Sequence, residues 1–331
     1  MPRLDAWLAE HIVCPRDRTH LRQRDDALVC DQQHTYPCVA DIPVLLTHDL
    51  PPTLPNPWLE LADLAHTRPD TSLNQPAVVD QFVQEMVAAT SGHLYTPLVG
   101  KLPRYPIPAS RLPPGRGARL LDIGCNWGRW TISAARAGYT PVGLDPQLSA
   151  ALAARRVAHQ FGTACAFVVG DARALPFSDA AFTWVFSYSV IQHFSKPDAR
   201  STLRQVHRVL APGGECLIQM PNRWGLRSLQ RQWRRRGQPV GVFDVRYWTR
   251  AELAETFESL IGPTTISVDG FFGLGIQPAD IDLLPMHFKL VVVCSEVLRH
   301  LSTRPGLRWL VNVADSLYVH ARRSAAIAWA S

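Results

Sequence analysis

The hydrophobic positions between residues 119 and 221 fall into short apolar runs that alternate with longer segments of helical spacing. The apolar runs predict five strands, at residues 119–123, 141–144, 166–169, 184–187 and 216–220. The intervening segments predict helices at residues 130–137, 148–159 and 200–210. Because strands that alternate with helices build βαβ units, this pattern indicates an α/β fold with a mostly parallel sheet.

The regions on either side of this alternation differ in composition. Residues 1–50 are predicted to form a small unit, and the prolines of residues 51–77 are typical of an extended linker. Residues 78–331 then form the main domain. It begins with helical spacing near residue 78, has its core at 119–221, and ends in a C-terminal substrate or lid region at 222–331.

A glycine-rich turn follows the first of the five predicted strands. Residues 120–130, LLDIGCNWGRW, run from an apolar strand through Gly124 and Gly128 into a helix. Glycine lets the backbone approach a ligand closely, and the N-terminus of the helix offers free N–H donors to an anionic group. Similar turns also bind dinucleotides or simply join a strand to a helix, so the turn alone does not identify a ligand.

Acidic residues at the ends of the later predicted strands narrow the choice of ligand. Asp145 ends the second predicted strand, where a carboxylate can accept hydrogen bonds from both hydroxyls of a ribose. Asp171 ends the third strand and can accept a hydrogen bond from an exocyclic amine. Residues 210–214, Leu-Ala-Pro-Gly-Gly, predict a tight turn into the fifth strand. The carboxyl ends of parallel strands share one edge of the sheet, where open α/β sheets bind ligands.

This ordered set of motifs resembles class I S-adenosylmethionine-dependent methyltransferases, in particular the type 11 group that includes ubiquinone-biosynthesis C-methyltransferases. The resemblance covers residues 119–221 and implies a Rossmann-like, seven-stranded sheet with S-adenosylmethionine as cofactor. It also implies that Gly124 cradles the methionine part, Asp122 orders the loop, and Asp145 holds the ribose. The implied cofactor-binding residues are Asp122, Gly124, Cys125, Asn126, Gly128, Asp145, Pro146, Asp171, Ala172 and Ser187.

One departure and one rival interpretation accompany this resemblance. Asn126 and Trp127 stand where many relatives have smaller residues, and the Trp127 ring either packs against cofactor or substrate or fills the surface. A dehydrogenase of the same fold is the rival, but the loop reads Gly-x-x-x-Gly rather than Gly-x-Gly-x-x-Gly. The Asp-Ala and Pro-Gly-Gly signals would also have no role in a dehydrogenase.

Composition sets outer limits on these interpretations. The chain has 331 residues, of which 47% are hydrophobic, and this excludes a disordered, collagen-like or coiled-coil protein. No uninterrupted apolar segment resembles a secretory signal or a membrane span, so we expect a soluble cytoplasmic protein without membrane insertion. Its seven cysteines are then expected to be free thiols or metal ligands rather than a disulfide scaffold.

Methyl transfer from a sulfonium is an in-line displacement, which mainly requires a positioned nucleophile and the exclusion of water. His193 is the nearest candidate for a general base, and a packed, hydrogen-bonded histidine is the alternative. Tyr188 and Tyr247 are candidates for contacts to the acceptor. Thr249 and Glu252 form a capping-box pattern, which gives the stretch after Tyr247 a structural explanation instead.

Some acceptor classes are disfavoured by the segment after the fourth strand. Phe-Ser-Tyr-Ser stands where nucleobase amine methyltransferases usually carry Asn/Asp-Pro-Pro-Tyr, and no Pro-Cys pair is present for pyrimidine C5 methylation. Residues 223–236, however, contain six arginines with Trp224 and Trp233 between them. That segment predicts either a solvated helix with a lid role, an anionic acceptor site, or a nucleic-acid contact, with the last not favoured.

A second cluster of candidate ligands lies near the N-terminus. Cys14 and Asp17 form one pair and Cys30 and His34 another, a spacing that suits a tetrahedral zinc ribbon. This resembles the small zinc-ribbon protein that activates tRNA and translation-factor methyltransferases, whose usual ligands are four cysteines. Asp17 is the weaker ligand of the four, and Cys38 or His20 could substitute for it. A metal-free relic of the ribbon is the alternative, and a structural or contact role is expected in either case.

The sequence therefore predicts a methyltransferase that acts on a small-molecule, glycan-linked or lipid-linked acceptor at oxygen. An RNA or protein methyltransferase that uses the ribbon and the arginine segment for its substrate is the first alternative. A non-catalytic cofactor-binding partner protein is the second.

Overall fold

The computed structural model describes residues 4–51, 79–236, 238, 241, 243–273, 275 and 277–324. The predicted linker lies outside these ranges except for its first residue, Pro51. Within the described ranges, no helix combines the length and the apolar character that a bilayer span requires.

The strands of the described ranges form one continuous order, β1-β2-β3-β4-β7-β6-β5-β8-β9-β11-β10. Their bounds are β1 Arg22–Arg24, β2 Ala27–Val29, β3 Thr35–Val39, β4 Ile42–Leu45, β5 Arg119–Ile123, β6 Thr140–Asp145, β7 Ala166–Gly170, β8 Phe182–Ser187, β9 Leu210–Pro221, β10 Thr264–Gly270 and β11 Ser316–Arg322. Neighbours from β4 to β9 are parallel, whereas β11 is antiparallel to both β9 and β10.

The α-helices connect these strands and cover both faces of the sheet. Their bounds are α1 Ala6–His11, α2 Gln81–His93, α3 Arg129–Arg136, α4 Leu148–Gln160, α5 Lys196–Val209, α6 Leu226–Arg234, α7 Arg250–Leu260 and α8 Met286–Ser302. Apolar side chains of α1, α5 and α7 pack in one core, and those of α2 and α4 pack in a second. Alternating residues of the central strands point into one core or the other, which is typical of a doubly wound α/β fold.

All five strands predicted in the central region are present, and the turn predicted at residues 210–214 differs in detail. The chain there forms an irregularity within β9, because the register with β8 jumps from the pair Phe182–Leu210 to the pair Trp184–Glu215. Gly213 has φ of 72° inside this irregularity.

The predicted capping box at the start of α7 is also present. Thr249 Oγ1 accepts from the Glu252 N–H at 3.1 Å, and Glu252 Oε2 accepts from the Thr249 N–H at 2.8 Å.

The prediction of a seven-stranded sheet with a small β module beside it needs correction. β5 to β11 do lie next to one another, but β4 continues the sheet beyond them by pairing in parallel with β7. Val44 pairs with Val169 and Leu45 with Gly170. All four residues of β4 are buried, and an apolar run of this kind suits an inner strand of a parallel sheet rather than a solvent-facing module.

The topology also determines where a ligand can bind. From β5 the chain passes through α3 to β6 on one side of the sheet, and β8 later lies on the other side of β5. Open α/β sheets bind ligands in the crevice outside the carboxyl ends of the strands at such a switch point.

Candidate active site

A cavity of about 790 Å³ opens at the carboxyl ends of β5, β6, β7 and β8. Most of the predicted site residues line it: Gly124, Cys125, Asn126, Asp145, Pro146, Asp171, Ala172, Tyr188, His193 and Tyr247. The other three predicted residues, Asp122, Gly128 and Ser187, lie in the elements that support the cavity wall. The structure therefore brings the cofactor and acceptor candidates of the sequence together in one place.

Two glycines shape the loop between β5 and α3. Gly124 has φ of 74°, and a Cβ atom there would lie 2.2 Å from Val190 Cγ2 at the end of β8. Gly128 has φ of 82° and caps α3, where a Cβ atom would lie 3.0 Å from Ala154 Cβ of α4. Gly124 thus allows the close approach of two strand ends at the cavity, and Gly128 allows two helices to pack.

Replacing Gly124 with alanine should reduce the free energy of unfolding by about 2–4 kcal/mol, because left-handed strain and steric overlap add together. Gly117→Ala is a matched control, since Gly117 has φ of 82° but nothing lies within 4 Å of its added Cβ. The control should lose only about 1–2 kcal/mol from strain. Urea unfolding of both variants measures the difference, and equal losses would show that Val190 yields without cost.

The Asp145 carboxylate organises the loop at the end of β6. Its Oδ2 accepts from the Asn126 N–H at 2.9 Å and its Oδ1 from the Gln147 N–H at 3.0 Å. Asn126 has φ of 47°, and its own side chain accepts from the Trp127 N–H at 2.6 Å. Trp127 is 0% exposed and packs against Tyr105, so the expectation that it fills the surface is wrong.

Asp122 and Ser187 support the strand ends from inside the sheet. The Thr131 hydroxyl donates to Asp122 Oδ2 at 2.6 Å, and the Ser187 hydroxyl donates to the Ile123 carbonyl at 3.0 Å. Complete burial raises the pKa of Asp122 to about 7, with the negative charge of Asp145 adding to this effect. Asp122 can therefore be neutral near pH 7, which limits the repulsion between the two carboxyl groups.

Asp171 is bound by a partner that sequence reasoning missed. The Arg173 N–H, Nε and Nη2 lie 2.8, 3.0 and 2.6 Å from its carboxylate oxygens. Arg173 Nη2 also donates to the carbonyl of Pro51 at 2.6 Å. The predicted contact of Asp171 with an adenine amine would have to share this carboxylate with Arg173, and it stays a prediction.

His193 is held in a defined neutral tautomer. Its Nδ1 lies 2.8 Å from the Phe243 carbonyl, which can only accept, so Nδ1 carries the proton and Nε2 faces the Gln192 amide at 3.2 Å. The ring stacks on Phe243 with centroids 4.1 Å apart, and burial lowers the pKa of His193. The neutral ring can accept a proton at Nε2 only if Gln192 moves, and its role as a base stays a prediction.

The Tyr188 hydroxyl already has both a donor and an acceptor. It donates to Asp269 Oδ2 at 2.9 Å and accepts from Gln277 Nε2 at 2.7 Å. Burial raises the pKa of Tyr188 well above its usual range, so the phenol stays protonated. Tyr247 lies on the cavity wall as well, and burial also raises its pKa. Tyr188 can therefore contact an acceptor molecule only by accepting one more hydrogen bond or by giving up its bond to Asp269, and neither tyrosine is an acid or base near neutral pH.

Arg129 is a second cavity residue that sequence reasoning missed. It is the first residue of α3, it is only 6% exposed, and it lines the cavity. Its Nη2 lies 3.4 Å from Oδ1 of Asp280, a carboxylate that is 0% exposed, while its Nε has no hydrogen-bond partner among the residues that the structure describes. A buried guanidinium with an unused donor beside a helix N-terminus is suited to an anionic group of a ligand.

The predicted N-terminal ligands also come together. The Cys14 and Cys30 sulfurs each lie 3.4 Å from His34 Nδ1, and Asp17 Oδ2 lies 3.3 Å from the Cys30 sulfur and 3.0 Å from His34 Nδ1. Tetrahedral zinc with Zn–S and Zn–N bonds of about 2.3 and 2.0–2.1 Å would place such atoms about 3.3–3.8 Å apart. The four distances of 3.0–3.4 Å are close to this range, and all four atoms lie within 4.8 Å of one another, so the donor set and its spacing are compatible with zinc. Within the described ranges, Cys38 and His20 are not part of this group.

Hydrogen bonds to the two sulfurs complete this N-terminal cluster. The Tyr36 hydroxyl lies 3.2 Å from the Cys14 sulfur, and the His34 N–H donates to the Cys30 sulfur at 3.3 Å. Donors of this kind stabilise thiolate ligands and fix their orientation.

Comparison with known proteins agrees with the geometry of the cavity. Residues 120–214 match the family described as a methyltransferase domain. The matched residues include the glycine-rich loop, Asp145, Asp171 and the end of β8. The match covers less than half of the chain, so it shows that residues 120–214 are similar to a methyltransferase domain.

The relatives are similar over part of their length. A malonyl-[acyl-carrier protein] O-methyltransferase of Erwinia billingiae is 33% identical over 127 residues, covering 38% of this chain and 48% of that protein. A ubiquinone biosynthesis O-methyltransferase of Caulobacter sp. is 27% identical over 170 residues, covering 50% of this chain and 66% of that protein. The structure of the PH0226 protein from Pyrococcus horikoshii has a TM-score of 0.32 at 29% identity, covering 35% of this chain and 50% of that one. The chain thus spans about half to two thirds of these relatives.

Proposed function

We propose that the protein transfers a methyl group from S-adenosylmethionine to an oxygen of a small-molecule, glycan-linked or lipid-linked acceptor. The observation that carries this proposal is the convergence of Gly124, Asp145 and Asp171 with Tyr188 and His193 on one cavity. The oxygen acceptor is supported by two partial relatives that are named O-methyltransferases.

The residues of the cavity divide into a cofactor side and an acceptor side. On the cofactor side, the Asp145 carboxylate would accept hydrogen bonds from a ribose, and the cavity beside the Gly124 loop would admit a methionine chain. When bound, S-adenosylmethionine supplies an activated methyl group on a sulfonium. On the acceptor side, the hydroxyls of Tyr188 and Tyr247 would orient the acceptor, and Nε2 of His193 would take up a proton once the Gln192 amide moves away. Holding the two molecules in line supplies most of the catalysis in such a reaction.

Arg129 would hold the carboxylate of the cofactor's methionine part. Its position at the start of α3 places it next to the Gly124 loop, and Asp280 compensates its buried charge. A guanidinium can then donate to the carboxylate, while the helix N-terminus favours the same negative charge.

Calorimetric titration with S-adenosylhomocysteine and 5′-methylthioadenosine tests both the function and the role of Arg129. We expect the unmodified protein to bind both compounds. Arg129→Met should weaken the homocysteine compound about 10–100-fold, the equivalent of a lost charge-assisted hydrogen bond. It should leave 5′-methylthioadenosine, which has no carboxylate, within about twofold.

The outcomes of this titration test the methyltransferase proposal separately from the proposed role of Arg129. If the unmodified protein binds neither compound, the methyltransferase proposal is wrong. If Arg129→Met weakens both compounds equally, Arg129 supports the fold of the loop rather than the carboxylate. Mass spectrometry of a small-molecule extract incubated with labelled S-adenosylmethionine then identifies the acceptor.

We also propose that Cys14, Asp17, Cys30 and His34 hold a structural zinc ion. The support is the donor set together with its close spacing, since all four ligand atoms lie within 4.8 Å of one another. Four protein ligands leave no open coordination position, so the ion would stabilise the fold of β1 to β4 and take no part in methyl transfer.

A further inference from the structure

The apolar side chains of α6 face away from the protein. Leu226, Leu229 and Trp233 are 54%, 42% and 66% exposed. At 100° per residue these three positions form one stripe along the helix. The stripe of an ordinary surface helix faces the core, so the arrangement of α6 is reversed.

The opposite side of α6 attaches the helix to the protein through polar contacts. Ser228 is only 4% exposed, and its N–H donates to Asp315 Oδ1 at 2.7 Å. The Leu226 N–H, at the start of the helix, also donates to the carbonyl of Val313 at 3.3 Å. These contacts hold the orientation of the helix, so the outward stripe is a fixed feature of the surface.

Basic residues lie next to the apolar stripe. On a helical wheel Arg227, Arg231 and Arg234 occupy the side between the stripe and the buried face. Arg223, Arg235 and Arg236 extend this basic character beyond the two helix ends. Two acidic residues of the described ranges lie against this group: Asp244 pairs with Arg235, and the buried Asp315 accepts from the Ser228 N–H. We call α6 together with Arg223, Trp224, Arg235 and Arg236 the α6 surface.

The α6 surface also borders the cavity. Ser228 and Arg231 of the helix line the cavity, together with Phe243 and Tyr247 from the following segment. Phe243 is 59% exposed although it stacks on His193. The helix therefore presents polar side chains to the cavity and its apolar stripe to the outside, beside the exposed ring of Phe243.

We propose that the α6 surface binds an anionic lipid bilayer, with its apolar stripe in the interface and its arginines at the headgroups. Outward leucines and tryptophan beside arginines are typical of helices that lie in the plane of a membrane. RNA binding would use the arginines and tryptophans but would give Leu226 and Leu229 no partner. If the proposed methyltransferase function is correct, the same surface presents a lipid-linked acceptor to the cavity.

Co-sedimentation with phospholipid vesicles tests this proposal. We expect the full chain to bind vesicles of phosphatidylcholine with phosphatidylglycerol at least about tenfold more tightly than vesicles of phosphatidylcholine alone. The double variant L229S/W233S should lose at least about tenfold of this binding. The matched control is L290S/V297S on α8, because Leu290 and Val297 are also 61% and 53% exposed. The control should bind like the unmodified chain.

Three results would overturn the proposal. The first is vesicle binding that does not depend on phosphatidylglycerol, or a loss of binding in L290S/V297S equal to the loss in L229S/W233S. The second is that a single-stranded RNA 20-mer binds the unmodified chain more tightly than the vesicles do. The third is self-association in sedimentation velocity that L229S/W233S abolishes, which would show that a second copy covers the stripe. Titration with S-adenosylhomocysteine, run on each variant, confirms folding and tests the methyltransferase proposal separately from the membrane result.

Discussion

Asp145→Ala should weaken S-adenosylhomocysteine binding at least about 100-fold in calorimetric titration. A carboxylate that accepts two ribose hydroxyls contributes about 1.5 kcal/mol or more for each charge-assisted hydrogen bond, and every 1.4 kcal/mol is about tenfold in affinity. The alanine would also release the Asn126 and Gln147 N–H groups, so the loop would lose its fixed shape. Both effects act in the same direction.

Two further variants separate these effects. Asp145→Asn retains an acceptor oxygen without the charge, and its affinity should lie between those of the alanine variant and the unmodified protein. Asp179→Ala is the matched control, because Asp179 is an exposed aspartate that pairs with Arg208 away from the cavity. Its affinity should be unchanged. If the Asp145→Ala variant binds S-adenosylhomocysteine as tightly as the unmodified protein, the ribose does not bind at the end of β6.

The purified protein should contain one zinc ion per chain, and Cys30→Ser should remove it. Elemental analysis by mass spectrometry measures the metal directly. Structural zinc contributes about 10–16 kcal/mol to small zinc-finger folds, so we expect the variant to lose several kcal/mol of stability in its N-terminal strands. Hydrogen exchange should show this loss first in β2 and β3, whose ladder lies next to the cluster.

Cys38→Ser is the control for this experiment. Cys38 is on β3 in the same small group of strands, but it does not belong to the four-residue cluster. This variant should keep its zinc and its protection from exchange. A chain that is purified without metal, and whose stability zinc does not change, would make the N-terminal segment a metal-free relic of the ribbon.

Local sequence patterns were sufficient to predict which residues meet at the sheet edge, although their contacts with a cofactor stay a prediction. The Gly124 loop, Asp145 and Asp171 each follow a predicted strand directly, so their meeting at one sheet edge follows from the parallel topology. The four residues predicted as N-terminal ligands do lie together, because each pair is contained in one short turn, while their binding of a metal stays a prediction.

Contacts between segments that are distant in the sequence could not be predicted from local patterns. Arg129 is a plain helix residue in the sequence, and its partner Asp280 lies in a different part of the chain. The pairing of β4 with β7 depends on which apolar segment of the chain lies beside β7 in the fold, and no local sequence pattern specifies this partner. The Asp171–Arg173 pair is different, since an arginine two residues after the aspartate was visible and could have suggested a competing partner.

The pairing of β4 with β7 has a consequence for any attempt to study the methyltransferase domain alone. A chain that begins at residue 78 would uncover the backbone groups of Val169 and Gly170 that β4 now pairs. Exposed parallel strand edges recruit other strands, so the shortened protein should aggregate rather than behave as a minimal enzyme. The N-terminal segment is thus an integral border of the sheet, and its removal would also take away the Pro51 carbonyl that binds Arg173 beside Asp171.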